Sequence, residues 1–405
     1  MKKIPKLWLC VFWLSMVSIM LPCFSLWAAD LGILLDQNAG HGGSGSSGDF
    51  DYSGTIIPRF TAFLGNGGSL FVSAGLKAEY QNETWTIAPE LLRTDLAWRF
   101  GSGEFRAGRM LYSDPLGYIA EGLFDGAGLS LDTAAGTISA GAWYTGLLYK
   151  KRAYIAMTDR ETESYNSKLD YSDFTNSYFA PKRILSALGW EHPGLAELFR
   201  VKLSLLGQFD LERENSLHSQ YLAGKITLPA GAFVFDLGGC LELAEADDDP
   251  EIAFTGELGI AWIPPASFES RLSLLGRYSS GMAEDSKLRS FLPLTTVTQG
   301  DILKAKLSGL SLISLDYLAR LDEPLSLDIR SSYFIRSDWM SYTGLGNNAD
   351  GYFLGNEFFG RLLWSPASDL QLSLGGGVFL PSLGDVAPKA DPLWRVELGP
   401  VMSLY

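Results

Sequence analysis

Apolar and polar residues alternate along most of this chain. In "FRVKLSLLGQFD" Phe199, Val201, Leu203, Leu205 and Phe209 fall on one side, and Arg200, Lys202, Ser204, Gln208 and Asp210 on the other. "EIAFTGELGIAW" sets Ile252, Phe254, Leu258, Ile260 and Trp262 against Glu251, Thr255 and Glu257. "FESRLSLLGRY" sets Phe268, Leu272, Leu274 and Tyr278 against Glu269, Arg271, Ser273 and Arg277. The chain ends the same way, on "DPLWRVELGPVMSLY", with Trp394, Val396, Leu398, Pro400, Met402 and Leu404 sharing an apolar face. A period of two is that of a β-strand lying between two different surroundings.

The alternation predicts strands near 31–36, 51–64, 69–80, 84–99, 104–112, 120–132, 136–149, 183–191 and 196–211. It continues at 218–228, 231–244, 251–263, 267–279, 304–320, 325–336, 355–364, 369–380 and 392–405. Tight gaps rich in turn residues, such as "GNGG" at 65, "PAG" at 229 and "LDEP" at 321, alternate with longer ones at 38–50, 150–182, 280–303, 337–354 and 381–391. Only "QN" at 81–82 is a short member of the long set. Short turns on one side and long loops on the other are the signature of a transmembrane antiparallel up-and-down β-barrel. The predicted strand number is 18, with 16 as the alternative if the weak first strand is lost together with one other.

A soluble β-sandwich would show the same alternation with its faces reversed. Three features oppose it. The segments run to 10–16 residues, longer than the five or six usual in soluble strands. Aromatics gather near segment ends (Trp98, Phe100, Trp190, Trp262, Trp364, Trp394), where interfacial belts lie. The polar faces carry glycine, serine and arginine in place of a dense lysine/glutamate coat.

Composition adds the compartment. "MKKIPKLWLCVFWLSMVSIMLPCFSLWAAD" has a basic start, an apolar middle and a small-residue end, so residues 1–29 read as a secretory signal cleaved after Ala29 and 30–405 as one barrel domain. Removing Lys2, Lys3 and Lys6 with the leader moves the formal charge from −14 to −17, which excludes a nucleic-acid partner. Cys240 is the one cysteine left, so no intrachain disulfide is expected. Outer-membrane lipid, lipopolysaccharide and the barrel-assembly machinery are the expected partners. The last is suggested by the C-terminal pattern Glu397, Gly399, Met402, Leu404 and Tyr405.

Enzymatic chemistry finds little support. His41, His192 and His218 are not spaced as metal ligands, and neither HExxH nor CxxC occurs. No cofactor motif is present, and the glycine-rich run at 38–50 reads as a flexible outer loop. The acidic run "AEADDDPE" at 244–251 reads as a solvated outer loop, with calcium binding the less favoured alternative. The loop at 150–182 could fold into the lumen or face outward.

The informative set is the polar face of the strands. The candidate pore-lining residues are Arg59, Arg99, Arg106, Arg200, Lys202, Glu257, Glu269, Arg271, Arg277, Asp316, Asp328, Arg330, Arg361 and Arg395. Lys77, Lys225, Lys306 and Arg320 accompany them, with Glu79, Asp95, Asp236, Glu357 and Glu397 among the acidic partners. On a lipid face each charge costs about 2–4 kcal/mol at the midplane, whereas water or ion pairing meets it inside a barrel. The expectation is a channel for small polar solutes, with anionic ones a candidate class. A surface adhesin with an occluded lumen is the alternative.

"FRAGRMLYSDPLGYIAEGLFDGAGLSL" resembles a strand–loop–strand of the alginate-export porins, through Gly108 and Arg109 and then Phe124, Asp125 and Gly126. "GNEFFGRLLWSPASDLQLSLGGGVFLP" is similar to that family's late hairpin, with Gly355 and Glu357 at its opening. The resemblance implies an 18-stranded barrel whose arginine-lined pore passes anionic polysaccharide. A fatty-acid-type transporter is a further alternative. About twenty residues separate Ala29 from the strand at 51, too few for the N-terminal plug of that architecture.

Overall fold

The computed structural model describes residues 26–65, 67–212, 216–246, 249–265, 269–282, 288–338 and 351–404. Most of the expected leader, Asp247, Asp248, Phe268 and Tyr405 lie outside these residues.

Eighteen antiparallel strands close on themselves. In chain order they are β1 Leu26–Ser44, β2 Ser47–Leu64, β3 Gly68–Gln81, β4 Thr84–Phe100, β5 Gly103–Ser113 and β6 Glu121–Thr133. Then come β7 Gly136–Tyr144, β8 Arg183–Leu195, β9 Phe199–Asp210, β10 Leu217–Ala230, β11 Phe233–Ala246 and β12 Asp249–Trp262. The wall finishes with β13 Ser270–Ser279, β14 Leu310–Asp322, β15 Leu325–Arg336, β16 Phe353–Ala367, β17 Leu370–Leu380 and β18 Leu393–Leu404. Each strand pairs with its chain neighbours, and β18 pairs with β1. The outward face is apolar and exposed along every strand, as at Leu76, Leu188, Leu222, Leu241, Leu258 and Leu374.

Four expectations are corrected. The first strand is not the short 31–36 but nineteen residues long. The glycine-rich run is accordingly no flexible loop: it is the end of β1, a turn at Gly45 (φ +58°) and the start of β2. Glycine is needed there for close approach, since a Cβ at Gly42 would lie 2.7 Å from the Trp394 carbonyl and one at Gly48 2.8 Å from the Trp394 ring. The acidic run is a hairpin end, with β11 reaching Ala246 and β12 beginning at Asp249. The strand expected from 304 starts at Leu310, which leaves Lys306 in the loop before it.

At the closing seam the β1–β18 ladder runs from Ile33↔Leu404 to Asp36↔Val401 and resumes at Ala39↔Leu398 in the same register. The two skipped positions of β18 are Pro400 and Gly399. Proline has no N–H to give, so the seam is incompletely paired at that point.

Three long connections fold into one end of the barrel. The segment 145–182 carries α1 Lys150–Ala153, α2 Asp159–Asn166 and α3 Phe174–Tyr178. A capping box starts α2, in which Thr158 Oγ1 accepts from the Glu161 amide and Glu161 accepts from the Thr158 amide. The same Glu161 holds Arg183 at 2.7 Å, and Arg183, wholly buried, also meets Asp210 and Gln208. A shared apolar core joins Ile119 of the 114–120 loop, Ile155 and Met157 of 145–182, and Phe291 and Leu294 of 280–309 to wall residues such as Phe124 and Tyr221. The 150–182 loop therefore packs inward.

Candidate functional site

The 114–120 loop turns around Asp114, whose carboxylate accepts from the amides of Leu116, Gly117, Ile119 and Ala120. The turn presents Tyr118, which lies under the guanidinium of Arg277 at 4.2 Å. The 280–309 loop crosses from one wall to the other. At one side the Leu292 amide donates to Glu242 and Tyr221 donates to the Leu292 carbonyl. In the middle Thr295 Oγ1 accepts from the Glu121 amide, and Gln299 accepts from Arg277. At the other side the Glu357 carboxylate accepts from the amides of Asp301, Ile302 and Leu303. The 280–309 loop is thus fixed to the wall at both sides by buried carboxylates, while the 114–120 loop is folded around a buried carboxylate of its own.

Charged side chains line the inner wall around them. Asp51 and Arg395 meet at 2.8 Å, Arg395 and Glu397 at 3.3 Å, and Glu397 and Arg361 at 2.9 Å. Arg361 reaches Asp301 at 3.5 Å, Asp301 reaches Arg330 at 3.1 Å, and Arg330 also pairs with Asp316. This chain ties β2, β18, β16, β15 and β14 to the 280–309 loop. A second cluster joins Lys225, Glu257 and Arg277, with Glu257 at 3.0 Å and 2.8 Å from the two cations.

Several of these pairs pass over a strand. Lys225 of β10 faces Gly238 of β11, which faces Glu257 of β12. Arg361 of β16 faces Gly375 of β17, which faces Glu397 of β18. Arg395 of β18 reaches Asp51 of β2 over Gly40 of β1, where a Cβ would sit 2.8 Å from Arg395 Cζ. A side chain on the middle strand would fill the space through which the long cation reaches, so glycine occupies it.

The structure brings Arg277, Glu257, Asp316, Arg330, Arg361 and Arg395 together as described. Arg106 pairs with Asp95 at 2.5 Å beside Arg93, and Arg59 donates to the Ser403 hydroxyl. Lys202 meets Glu191 with both half-exposed. Arg271 donates to Ser273 and makes no ion pair among the described residues. Asp328 likewise has no ion pair there. Arg99, Arg200 and Glu269 are exposed near the tight-turn end, Arg99 beside Glu104 and Glu269 beside Arg320. Asp51, Asp301, Gln299 and Tyr118 were not foreseen, although Asp51 lies on the polar face of a predicted strand.

Below the inserted loops, Lys225, Arg271, Arg277 and Arg330 share a cavity of about 350 Å³ with Asp236, Glu257, Asp316 and Asp328. In this set Arg271, Asp236 and Asp328 make no ion pair among the described residues, Asp236 accepting from the Thr227 hydroxyl, so a polar solute finds one cation and two carboxylates to address.

No family model and no curated protein matches the sequence. The fold is similar to solved structures from Pseudomonas aeruginosa. OccK2 (OpdF) in complex with glucuronate gives a TM-score of 0.63 at 13% identity, over 94% of this chain and 97% of that one. The outer membrane protein OpdK gives 0.61 at 13%, over 94% and 99%. OpdK with vanillate gives 0.58 at 12%, over 93% and 98%. The likeness shows the fold, a closed antiparallel β-barrel like theirs; it gives no support to the alginate-export resemblance, which rests on its short motifs.

Proposed function

We propose that this chain is an outer-membrane channel through which small polar solutes, carboxylates in particular, diffuse. Exported through its leader and cleaved after Ala29, the mature barrel keeps residues 30–44 of β1 and sits in the outer membrane with its outward apolar face against lipid. The barrel-assembly machinery and lipopolysaccharide are its partners there. The observation that carries the reading is the cavity holding Arg271 and Arg277 directly below loops that narrow the lumen. A constriction lined by fixed charges selects by charge and size. The candidate pore-lining set acts in two groups, a paired framework and a few side chains left for the solute.

Two considerations favour a small solute over the polysaccharide implied by the alginate-export resemblance. The 114–120 and 280–309 loops pack across the inside of the barrel, and structural neighbours were solved with glucuronate and with vanillate.

Planar-bilayer recording of the refolded protein tests the reading. Stepwise conductance, a reversal potential favouring anions in a salt gradient, and concentration-dependent block by glucuronate are expected. Absence of steps from protein that shows heat-modifiable gel mobility would overturn the channel and favour an occluded adhesin.

A further inference from the structure

The wall of this barrel is not continuous. β4 and β5 are laddered only from Phe100↔Gly103 to Thr94↔Arg109. Beyond that point Met110–Ser113 of β5 pairs with β6 alone, and Thr84–Leu91 of β4 pairs with β3 alone, with Leu92 and Arg93 in a register shift where the Arg93 amide donates to Ser73. Ten residues of β4 therefore have a free backbone edge. On the comparable upper edge of β12 a main chain takes over: Ile252 bridges Leu288, the Arg289 amide donates to the Ile252 carbonyl, and the Ser280 amide donates to the Phe254 carbonyl. On β4 no backbone group substitutes for the strand among the described residues.

Side chains close the edge instead. Tyr171 Oη accepts from the Ile87 amide at 3.0 Å and donates to the Ile87 carbonyl at 2.9 Å. Tyr178 donates to the Pro89 carbonyl at 2.5 Å. Pro89 has no N–H, so it leaves no orphan donor on this edge. Arg109 of β5 spans the cleft, donating to the Leu91 carbonyl at 2.5 Å, to the Leu147 carbonyl at 3.0 Å and to Asp125. Apart from Arg109, every closing group belongs to the 145–182 segment.

The cleft lies at a defined depth. On the outward face Trp85 packs against Tyr52 and Tyr80 at 5.9 and 5.2 Å, one aromatic belt. Trp98 and Phe100 mark the other end of β4. Thirteen residues of strand tilted by about 40° rise roughly 30 Å, close to the hydrocarbon thickness. The unladdered stretch thus faces the outer half of the apolar layer. Its outward rim is apolar and exposed at Ile87, Leu91, Leu111 and Leu147, while Ala88, Glu90 and Leu92 on the inner side are buried.

We propose that this cleft is a lateral portal between the lumen and the outer leaflet, with the 145–182 segment as its door, and that a long-chain carboxylate uses it. The proposal rests on the outer-membrane reading but goes beyond the channel. An alkyl chain fits the leucine and isoleucine rim. Withdrawal of the segment releases Arg109 from Leu147 and turns that guanidinium toward a carboxylate head. Opening breaks side-chain hydrogen bonds and the segment's own packing, including that of Tyr149 and Tyr178 against Ala88, but no strand ladder, whereas opening at any continuous ladder breaks backbone bonds along two strands.

Photolabelling tests this in phospholipid vesicles containing the refolded protein and a palmitate with a diazirine at its chain end. The expected result is saturable labelling of the inner cleft, in the peptides holding Ala88, Tyr149 and Tyr178. Labelling should rise several-fold in Tyr171→Phe/Tyr178→Phe, and palmitate should compete better than hexadecanol. Label spread evenly over outward leucines around the barrel, with none on the inner cleft of the wild type, would overturn the portal. Equal competition by hexadecanol would overturn the carboxylate assignment. Conductance recorded on the same preparation separates failure of the portal from failure of the channel.

Discussion

One hydroxyl, that of Tyr171, takes both hydrogen bonds of the Ile87 backbone and so stands where a strand would otherwise run. Removing it leaves a donor and an acceptor on the β4 edge with only water or lipid to meet them. Tyr171→Phe is expected to weaken local protection by about 1 kcal/mol, or roughly fivefold in exchange of the Ile87 amide. Hydrogen–deuterium exchange with fragmentation measures this. Amides of 94–98, which keep both ladders, serve as the internal reference.

The second sealing contact carries a pH signature. Burial, reinforced by the Glu90 carboxylate, pushes the Tyr178 phenol up to about 12. Its folded value exceeds that of an unfolded tyrosine, near 10, so its contribution is whole below about pH 10 and fades as pH climbs toward 12. Absorbance at 295 nm should show a late-titrating component that Tyr178→Phe reduces. Exchange across 84–91 should accelerate in the same pH window.

Two arginines of one cavity should behave differently. Arg271 has a hydroxyl partner only, so Arg271→Ala is expected to lower anion preference with stability changed by less than about 0.5 kcal/mol. Arg277 holds Glu257 and Gln299 and lies over Tyr118, so Arg277→Ala should lose about 1–3 kcal/mol, discounted for the remaining Lys225 contact. Reversal potentials read the first effect and the gel-shift temperature reads both.

Glu357 holds the 280–309 loop through three consecutive amides. Glu357→Ala leaves those donors unmatched and frees the loop from the β16 wall. The expected outcome is a larger and noisier unitary conductance from a barrel that still shows heat-modifiable mobility. An unchanged step size would show that the loop does not narrow the path.

At Gly238 an added methyl would lie 2.5 Å from Leu116 Cδ2 and 3.1 Å from Glu257 Cγ. Gly238→Val should therefore cost about 1–3 kcal/mol through overpacking and separate Lys225 from Glu257. Gly239→Ala, whose nearest contact is 3.5 Å away, is the control. Chemical denaturation in detergent compares them.

Strand number and the two faces were legible because period-two alternation survives wherever lipid and water lie on opposite sides of a wall. Loop insertion was not legible, because Ile119, Ile155 and Phe291 come together only in three dimensions and each looks ordinary in its own segment. The long first hairpin was hidden by glycines at 40, 42 and 43 of β1 and 48 of β2, which local reasoning assigns to flexibility and the structure uses for close approach. One available signal went unread. Pro89, centred in an alternating segment, marks an edge strand by the same logic that made Pro400 noticeable. Pairs such as Asp301 with Arg330 join a loop to a wall 29 residues away, and no local pattern foretells them.

The three pairs that cross a glycine have a consequence for how the wall assembles. An ordinary cross-strand pair reports the alignment of two neighbours, but Lys225–Glu257, Arg361–Glu397 and Arg395–Asp51 each depend on two alignments at once. A slip of either adjoining ladder moves the cation away from its carboxylate and sets a side chain where the glycine belongs. Each pair works as a vernier, true only when both scales agree. Arg395–Asp51 joins the last strand to the second over the first, so it spans the closing seam and reads the alignment of the whole cylinder at closure.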